Sequence, residues 1–373
     1  MPDRDHLEHD RPDHEDEPTH EHGAGPEAGP ATPSDEAPAV EAGADDAPSE
    51  PLATEGASDE DLFSDGPFQP EGGVPTRAGF VAIVGKPNVG KSTLLNTILG
   101  VKVAPITNKP QTTRRGVRGI YSVEHRQLVF LDTPGYHRGG TALSGAMNQA
   151  VRDSVIDVEV VLWVVDLRRP PGDEDKDVAR MLGGIGPEAR IWLVGNKVDA
   201  AKYPDEALDL YRDLAPKVER VITISALNDP EAVYALRDDL LELLPSNPFF
   251  FPGDVRSDQS RETWASELIR ESAMTHLRQE IPYAVAVNVT EWDDPPEGSD
   301  QPVYMHAEIW VEKMGHRPIV LGKGGAMIKE IGRTARKQLE LFMQRRVYLD
   351  LEVVVRRDWR DDRDALRELG YEV

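Results

Sequence analysis

The sequence predicts an α/β fold. A phosphate-loop domain with a mostly parallel sheet is followed by a small α+β domain and preceded by a disordered acidic tail. Three observations carry this. Gly85-Lys86-Pro87-Asn88-Val89-Gly90-Lys91-Ser92 fits G-x-x-x-x-G-K-[ST], between an apolar β-branched run, Phe80–Val84, and a run with helical apolar spacing, Ser92–Leu99. Strand and helix patterns then alternate to about Pro245, which gives a parallel sheet with helices on both faces. From Arg261 the order changes to helix, strand, strand, glycine loop, helix, strand.

Residues 1–75 are rich in Asp, Glu, Pro, Gly, Ala and His and poor in aliphatics. Such a segment buries too little apolar area to offset its chain entropy, so disorder is expected. Its histidines, His6, His9, His14, His20 and His22, lie among carboxylates and suit weak metal binding or plain solvation. Asp61-Leu62-Phe63 and Pro67-Phe68 are its only aromatic spots and its candidate docking segments. The first 70 residues hold 21 carboxylates against Arg4 and Arg11, a net of −19, so the rest of the chain carries only −6 of the total −25. That mild balance is compatible with a nucleic-acid ligand.

With no cysteine, disulfides, thiolate zinc sites and cysteine nucleophiles are excluded. The chain has no apolar run long enough to span a bilayer, and an acidic N-terminus is not a signal peptide, so a cytoplasmic monomer is expected.

Residues 76–245 form the first domain. Strands are expected at Phe80–Val84, Gly116–Ser122, Gln127–Asp132, Val158–Asp166, Arg190–Asn196 and Arg220–Ser225. Helices are expected at Ser92–Leu99, Leu143–Val155, Asp173–Leu182, Pro204–Leu214 and Ala232–Leu243. A linker follows over 246–260. Pro248, Pro252 and Gly253 keep it extended, and Phe249, Phe250 and Phe251 are expected to pack it between domains rather than to stack on RNA. In the second domain, 261–373, an amphipathic helix is expected over Arg261–Glu280, strands over Ala284–Thr290, Val303–Glu312 and Val347–Val355, and helices over Ala326–Arg345 and Asp361–Leu369.

Ligands of doubly wound sheets bind at the carboxyl ends of the strands, and the motifs lie there. The glycines of Gly85–Ser92 let backbone N–H groups wrap phosphate oxygens, aided by the following helix N-terminus. Lys91 is placed to reach the β- and γ-phosphates, Ser92 to bind Mg²⁺, and Thr93 continues the site. Asp132-Thr133-Pro134-Gly135 ends a strand, with Asp132 placed for Mg²⁺ and the Gly135 N–H for the γ-phosphate. In Gln111-Thr112-Thr113-Arg114-Arg115 a threonine hydroxyl, Thr113 or its neighbour Thr112, completes the metal shell. Asn196, Lys197 and Asp199 read guanine: a carboxylate accepts from N1–H and the 2-amino group, donors that adenine lacks. Ser225-Ala226-Leu227 offers a main-chain N–H to O6. The ordered set resembles the translation-factor class of GTPases.

Tyr136, after Gly135, is ill suited to orient a water, so hydrolysis is expected to be slow or assisted. Asn88 has two readings, a turn-stabilising side chain or a K⁺ ligand that supplies positive charge at the transition state. Gly322-Lys323-Gly324-Gly325 matches the G-x-x-G clamp of KH domains, backed by Lys329, Arg333, Arg336 and Lys337, with Arg345 and Arg346 beyond them.

A GTPase domain joined to a KH-like domain resembles the bacterial Era family. The resemblance rests on Gln111–Arg114, Asp132–Gly135, Glu280-Ile281-Pro282-Tyr283-Ala284-Val285-Ala286-Val287 and Gly325-Ala326-Met327-Ile328-Lys329-Glu330-Ile331-Gly332, and runs from about Arg77 to Val355. It implies a GTP-hydrolysing factor that uses Mg²⁺, binds the 3′ end of 16S ribosomal RNA and assists assembly of the 30S subunit. Peripheral contact with the inner face of the cell membrane is a further implication. Two other readings stay open: an RNA chaperone with a structural nucleotide site, and a related GTPase acting on another RNA. A tRNA-modifying relative would carry a C-terminal cysteine, and a tandem G-domain factor a second phosphate loop; neither is in the sequence.

Overall fold

A computed structural model describes residues 74–136, 138–186, 190–214, 217–296 and 298–373. The expected docking segments and the histidines of the tail lie outside the described residues. The chain runs β1 (Arg77–Val84), α1 (Lys91–Leu99), β2 (Val117–Val123), β3 (Arg126–Asp132), α2 (Ala142–Asp153), β4 (Val160–Asp166), α3 (Asp173–Gly183), β5 (Arg190–Asn196), α4 (Pro204–Leu214), β6 (Val218–Ile224) and α5 (Pro230–Glu242). The strands form one sheet in the order β2-β3-β1-β4-β5-β6, in which only β2 is antiparallel to its neighbour.

The run Val160-Val161-Leu162-Trp163-Val164-Val165-Asp166 is buried at every position, as a strand covered on both faces must be. On one face Leu94, Leu95 and Ile98 of α1 and Leu236 of α5 meet Leu128, Phe130 and Leu162. On the other, Val178 and Leu182 of α3 and Tyr211 of α4 meet Trp163, Val165 and Leu193. This two-sided core fixes the loops at the strand ends.

The phenylalanine stretch lies against the first sheet. Phe249 is buried, and the Phe250 ring lies 4.5 Å from that of Phe80. Gln127 holds the backbone here: its Oε1 accepts from the N–H groups of Phe250 (2.8 Å) and Phe251 (3.1 Å), and its Nε2 donates to the Phe251 carbonyl. Further on, Ile120 of the sheet edge donates to the Arg256 carbonyl at 2.9 Å.

The second half runs α6 (Arg261–His276), β7 (Val285–Asp293), β8 (Val303–Val311), α7 (Arg317–Leu321), α8 (Ala326–Met343), β9 (Val347–Val355) and α9 (Arg363–Glu368). β7 pairs antiparallel with β8, which pairs parallel with β9. Leu268 and Ile269 of α6 and Ile331, Ala335 and Leu339 of α8 cover Met305 and Ile309.

Two expectations need correction. The first helix of this half turns no polar face to solvent, because Trp264 through Met274 are all buried. Its apolar face meets the three-stranded sheet, and its polar face, Glu267, Arg270 and Glu271, meets residues 102–112. It also stops at His276 rather than Glu280, since Gln279 adopts a left-handed φ of 57° and Pro282 follows. The short α7 was not expected.

Candidate functional site

The phosphate loop is shaped by close approaches. Gly90 caps α1 with φ 104°, and a Cβ there would stand 2.3 Å from Asn196 Nδ2. A Cβ on Gly135 would stand 2.7 Å from the Pro87 backbone, which brings the Asp132–Gly135 turn against the loop. Inside the loop, Lys91 Nζ donates to the Gly85 and Lys86 carbonyls, each at 3.1 Å. Lys91 is 6% exposed, and burial lowers its pKa to about 8 against the opposing charges of Asp132 and Glu174. A cleft opens between the loop and residues 105–113.

Three oxygen-bearing side chains converge at its floor. Ser92 Oγ donates to Asp132 Oδ2 at 2.7 Å and lies 2.8 Å from Thr113 Oγ1. Asp132 is fully buried, and its Oδ1 has no hydrogen-bond partner among the described residues. Burial raises its pKa to about 6, against the Lys91 charge and hydrogen bonds from Ser92 and Thr113. Hard oxygen donors with one orphaned buried carboxylate oxygen fit Mg²⁺. Thr112 turns elsewhere: its hydroxyl lies 2.7 Å from Thr107 Oγ1 and donates to the Lys109 carbonyl.

At the neighbouring strand ends Asn196 forms a strut. Its Oδ1 accepts from Lys197 N (2.8 Å) and Ala226 N (2.9 Å), and its Nδ2 donates to the Val89 carbonyl at 2.7 Å. The Ala226 N–H is thereby taken. Lys197, at φ 64°, donates to the Asn88 carbonyl and, at 3.0 Å, to Asp166 Oδ2. Asp199 accepts from Asn228 Nδ2 at 2.7 Å, and hydrogen bonds from Ser225 and Asn228 lower its pKa, which keeps an ionised acceptor beside 76%-exposed Leu227.

Several other expected residues direct their side chains to protein partners. Lys86 directs its ammonium away to Asp175 on α3. Thr133 donates its hydroxyl to the Ile83 carbonyl at 2.9 Å. Asn88 donates to the Asn108 carbonyl at 3.2 Å with φ 63°, so it does fill the turn. Tyr136 packs into the apolar layer behind β1 and β4.

The glycine clamp lies between α7 and α8, with left-handed φ at Gly322, Gly324 and Gly325. A Cβ on Gly322 would stand 2.7 Å from the Met327 backbone N. Lys323 is exposed, as are Lys329, Arg333, Arg336 and Lys337 along α8. Arg333 pairs with Glu330 at 2.7 Å, while Lys323, Lys329 and Lys337 have no ion-pair partner among the described residues.

Sequence reasoning missed the residues that join the two halves of the chain. Arg114 is 1% exposed and donates to the Val285 (2.7 Å) and Tyr283 (2.8 Å) carbonyls, with its guanidinium 5.6 Å from the Trp359 ring centroid. Arg270 reaches back to the Gln111 and Thr112 carbonyls and pairs with Glu267. The start of α2 meets the C-terminal segment, where Leu143 N donates to the Arg360 carbonyl at 2.9 Å. No local pattern announces partners more than 150 positions apart. Asp166 was missed too, although its place at the end of β4, opposite Asn196 of β5, is a signal.

Residues 80–197 match the family model of the 50S ribosome-binding GTPase, and residues 280–360 match that of the KH domain. The chain is 54% identical to GTPase Era of Deinococcus deserti over 309 residues, 82% of this chain and 99% of that protein. To GTPase Era of Deinococcus radiodurans it is 55% identical over 304 residues, 80% and 96% of the two chains. Among solved structures it is similar to Era in complex with MgGDPNP and nucleotides 1506–1542 of 16S ribosomal RNA, with TM-score 0.73, 34% identity and coverage of 80% of this chain and 100% of that one. It is likewise similar to a variant Aquifex aeolicus Era bound to GDP·AlF4⁻, with TM-score 0.74, 35% identity and the same coverage. A strand-end phosphate loop, a serine–threonine–aspartate cluster and a glycine clamp stand together in a chain aligned over almost the whole of these relatives, and the chain belongs to the Era family of GTPases.

Proposed function

We propose that this chain is a GTP-driven switch that binds the 3′ end of 16S ribosomal RNA and assists assembly of the 30S subunit. Residues 76–245 bind and hydrolyse the nucleotide, 246–260 link, and 261–373 bind RNA. The single observation that carries the reading is the bonding of the Thr113 segment to the RNA-binding half through Arg114 and Arg270. A loop that senses the nucleotide also touches the part that meets RNA, so a change at one is felt at the other.

In this reading the Gly85–Thr93 backbone and Lys91 hold the phosphates, and Asp199 reads guanine with Lys197, Ser225 and Leu227 around it. Ser92, Thr113 and Asp132 would hold Mg²⁺, which when bound would supply positive charge to the phosphates. The Gly135 N–H faces the γ-phosphate across the turn that Pro87 abuts. Water attacks the γ-phosphorus and GDP leaves. Tyr136, partly buried against the apolar layer, is ill suited to orient that water, which supports slow turnover. We propose that K⁺ near Asn88 assists; turnover equal in KCl and NaCl contradicts this.

At the other end, the exposed glycine clamp with Lys323 and the α8 bases meets phosphate, where binding energy is electrostatic and salt-sensitive. No helix among the described residues is long and apolar enough to cross a membrane, and we propose that contact with the inner membrane face is peripheral. Crosslinking in cells followed by RNA sequencing tests the proposal. Reads should concentrate at the 3′ end of 16S ribosomal RNA, and reads scattered over messenger RNA would overturn it.

A further inference from the structure

Arg270 lies on α6, in the RNA-binding half, yet its guanidinium ends in the loop that carries Thr113. Nη1 donates to the Gln111 carbonyl at 3.2 Å, and Nη2 donates to the Thr112 carbonyl. These are the two carbonyls immediately before Thr113, whose Oγ1 stands 2.8 Å from Ser92 Oγ. Gln111 holds a left-handed φ of 61°, a conformation that a residue with a Cβ keeps only when its surroundings impose it. Arg270 is 2% exposed, and Glu267 fixes it from the same helix. A planar fork spans two adjacent carbonyls at once, which a lysine ammonium on a flexible stem does not. A second clamp runs the opposite way: Lys109 donates to the Met274 and Leu277 carbonyls at the end of α6, where the helix dipole favours a cation.

We propose that Arg270 is a positioning residue for GTP hydrolysis. By holding the Gln111 and Thr112 carbonyls it keeps the Thr113 hydroxyl at the Ser92–Asp132 cluster. The metal shell is then complete only while α6 stands against residues 109–114. The RNA-binding half thus contributes to the hydrolytic centre, and any ligand that shifts α6 changes turnover. This deepens the proposed function and rests on its assignment of Thr113.

The test measures GTP turnover and its Mg²⁺ dependence in the full chain for Arg270→Lys, Thr113→Ala and the double variant. Arg270→Lys should lower kcat about tenfold, because misplacing a reacting group by a fraction of an ångström is enough for that, with KM for GTP within about twofold. The Mg²⁺ concentration for half-maximal turnover should rise. In the Thr113→Ala background Arg270→Lys should have no further effect, since residues that act through one another are non-additive. Leu339→Ala, which truncates a buried side chain of α8 away from residues 109–114, should lower thermal stability while turnover stays within about twofold, so a folding defect and a positioning defect are told apart. The inference is overturned if Arg270→Lys leaves kcat and the Mg²⁺ dependence unchanged while Thr113→Ala slows turnover. It is also overturned if Arg270→Lys slows both backgrounds equally. If Thr113→Ala itself turns over at the normal rate, the assignment of Thr113 fails and the inference falls with it.

Discussion

Ser92 Oγ stands 2.7 Å from Asp132 Oδ2, which joins the first turn of α1 to the last residue of β3. The hydroxyl donates to one carboxylate oxygen while the other, buried, has no partner among the described residues. A buried acceptor without a partner costs about 1–3 kcal/mol, a penalty that a bound cation removes.

Asp132→Asn replaces that carboxylate with a neutral amide of equal size. GTP turnover should fall at least about a hundredfold, because electrostatic stabilisation at the reacting phosphate is a large share of such catalysis. Folding should be kept or improved, since the buried charge is gone. Turnover across a Mg²⁺ titration, alongside urea unfolding, checks both.

Gly90→Ala should damage both the loop and the strut behind it. Its φ of 104° strains any side chain, and the new Cβ would stand 2.3 Å from Asn196 Nδ2. A cost of about 1–3 kcal/mol in stability is expected from the backbone alone. The displaced amide also loses the Val89 carbonyl, so nucleotide affinity should drop with it. Fluorescent GDP titration and thermal unfolding report the two effects separately.

Asp166 sets a pH dependence. Burial raises its pKa, but hydrogen bonds from Arg168 and Lys197 overcome this and hold it at about 2, below the ordinary 3.8. A depressed acid stabilises the fold fully above the unfolded value and loses that contribution as pH falls toward about 2, here about 2 kcal/mol. Asp166→Asn should therefore cost that much at pH 6 and progressively less from about pH 4 downward. Urea midpoints at several pH values measure the difference.

Replacing Lys323 and Gly324 with Asp should weaken binding to a 16S 3′-terminal RNA by about tenfold or more, because phosphate contacts become repulsive. The slope of log affinity against log salt should fall by about 1, and GTP affinity should hold. Filter binding at several KCl concentrations would show this.

What could be read from the sequence followed from local rules. The first sheet was legible because buried parallel strands are continuous apolar runs and each motif sits at a strand end, as Asn196 does at the end of β5. Most element ends moved by a residue or two, as frayed termini do, while β7 ran on three residues to Asp293 and α6 stopped four short at His276. The all-round burial of α6 was not legible, since Glu267, Arg270 and Glu271 have the composition of a solvated face until a second surface meets them. The strut that Asn196 forms was not legible either, since its partners Val89 and Ala226 lie far off in sequence and appear only in the distances. The bonds of Arg114 to Tyr283 and Val285 depend on how the two halves dock, which no periodicity encodes.

The central claim is that the nucleotide controls RNA binding. Its most direct measurement is the affinity of the full chain for a 16S 3′-terminal RNA fragment in the presence of Mg²⁺ with a non-hydrolysable GTP analogue, and again with GDP. Coupling of about 1–3 kcal/mol between two sites is typical, so the two affinities should differ at least about fivefold, and the difference should shrink in Arg114→Met, where the link to Tyr283 and Val285 is cut. Equal affinities in the two nucleotide states would contradict the account.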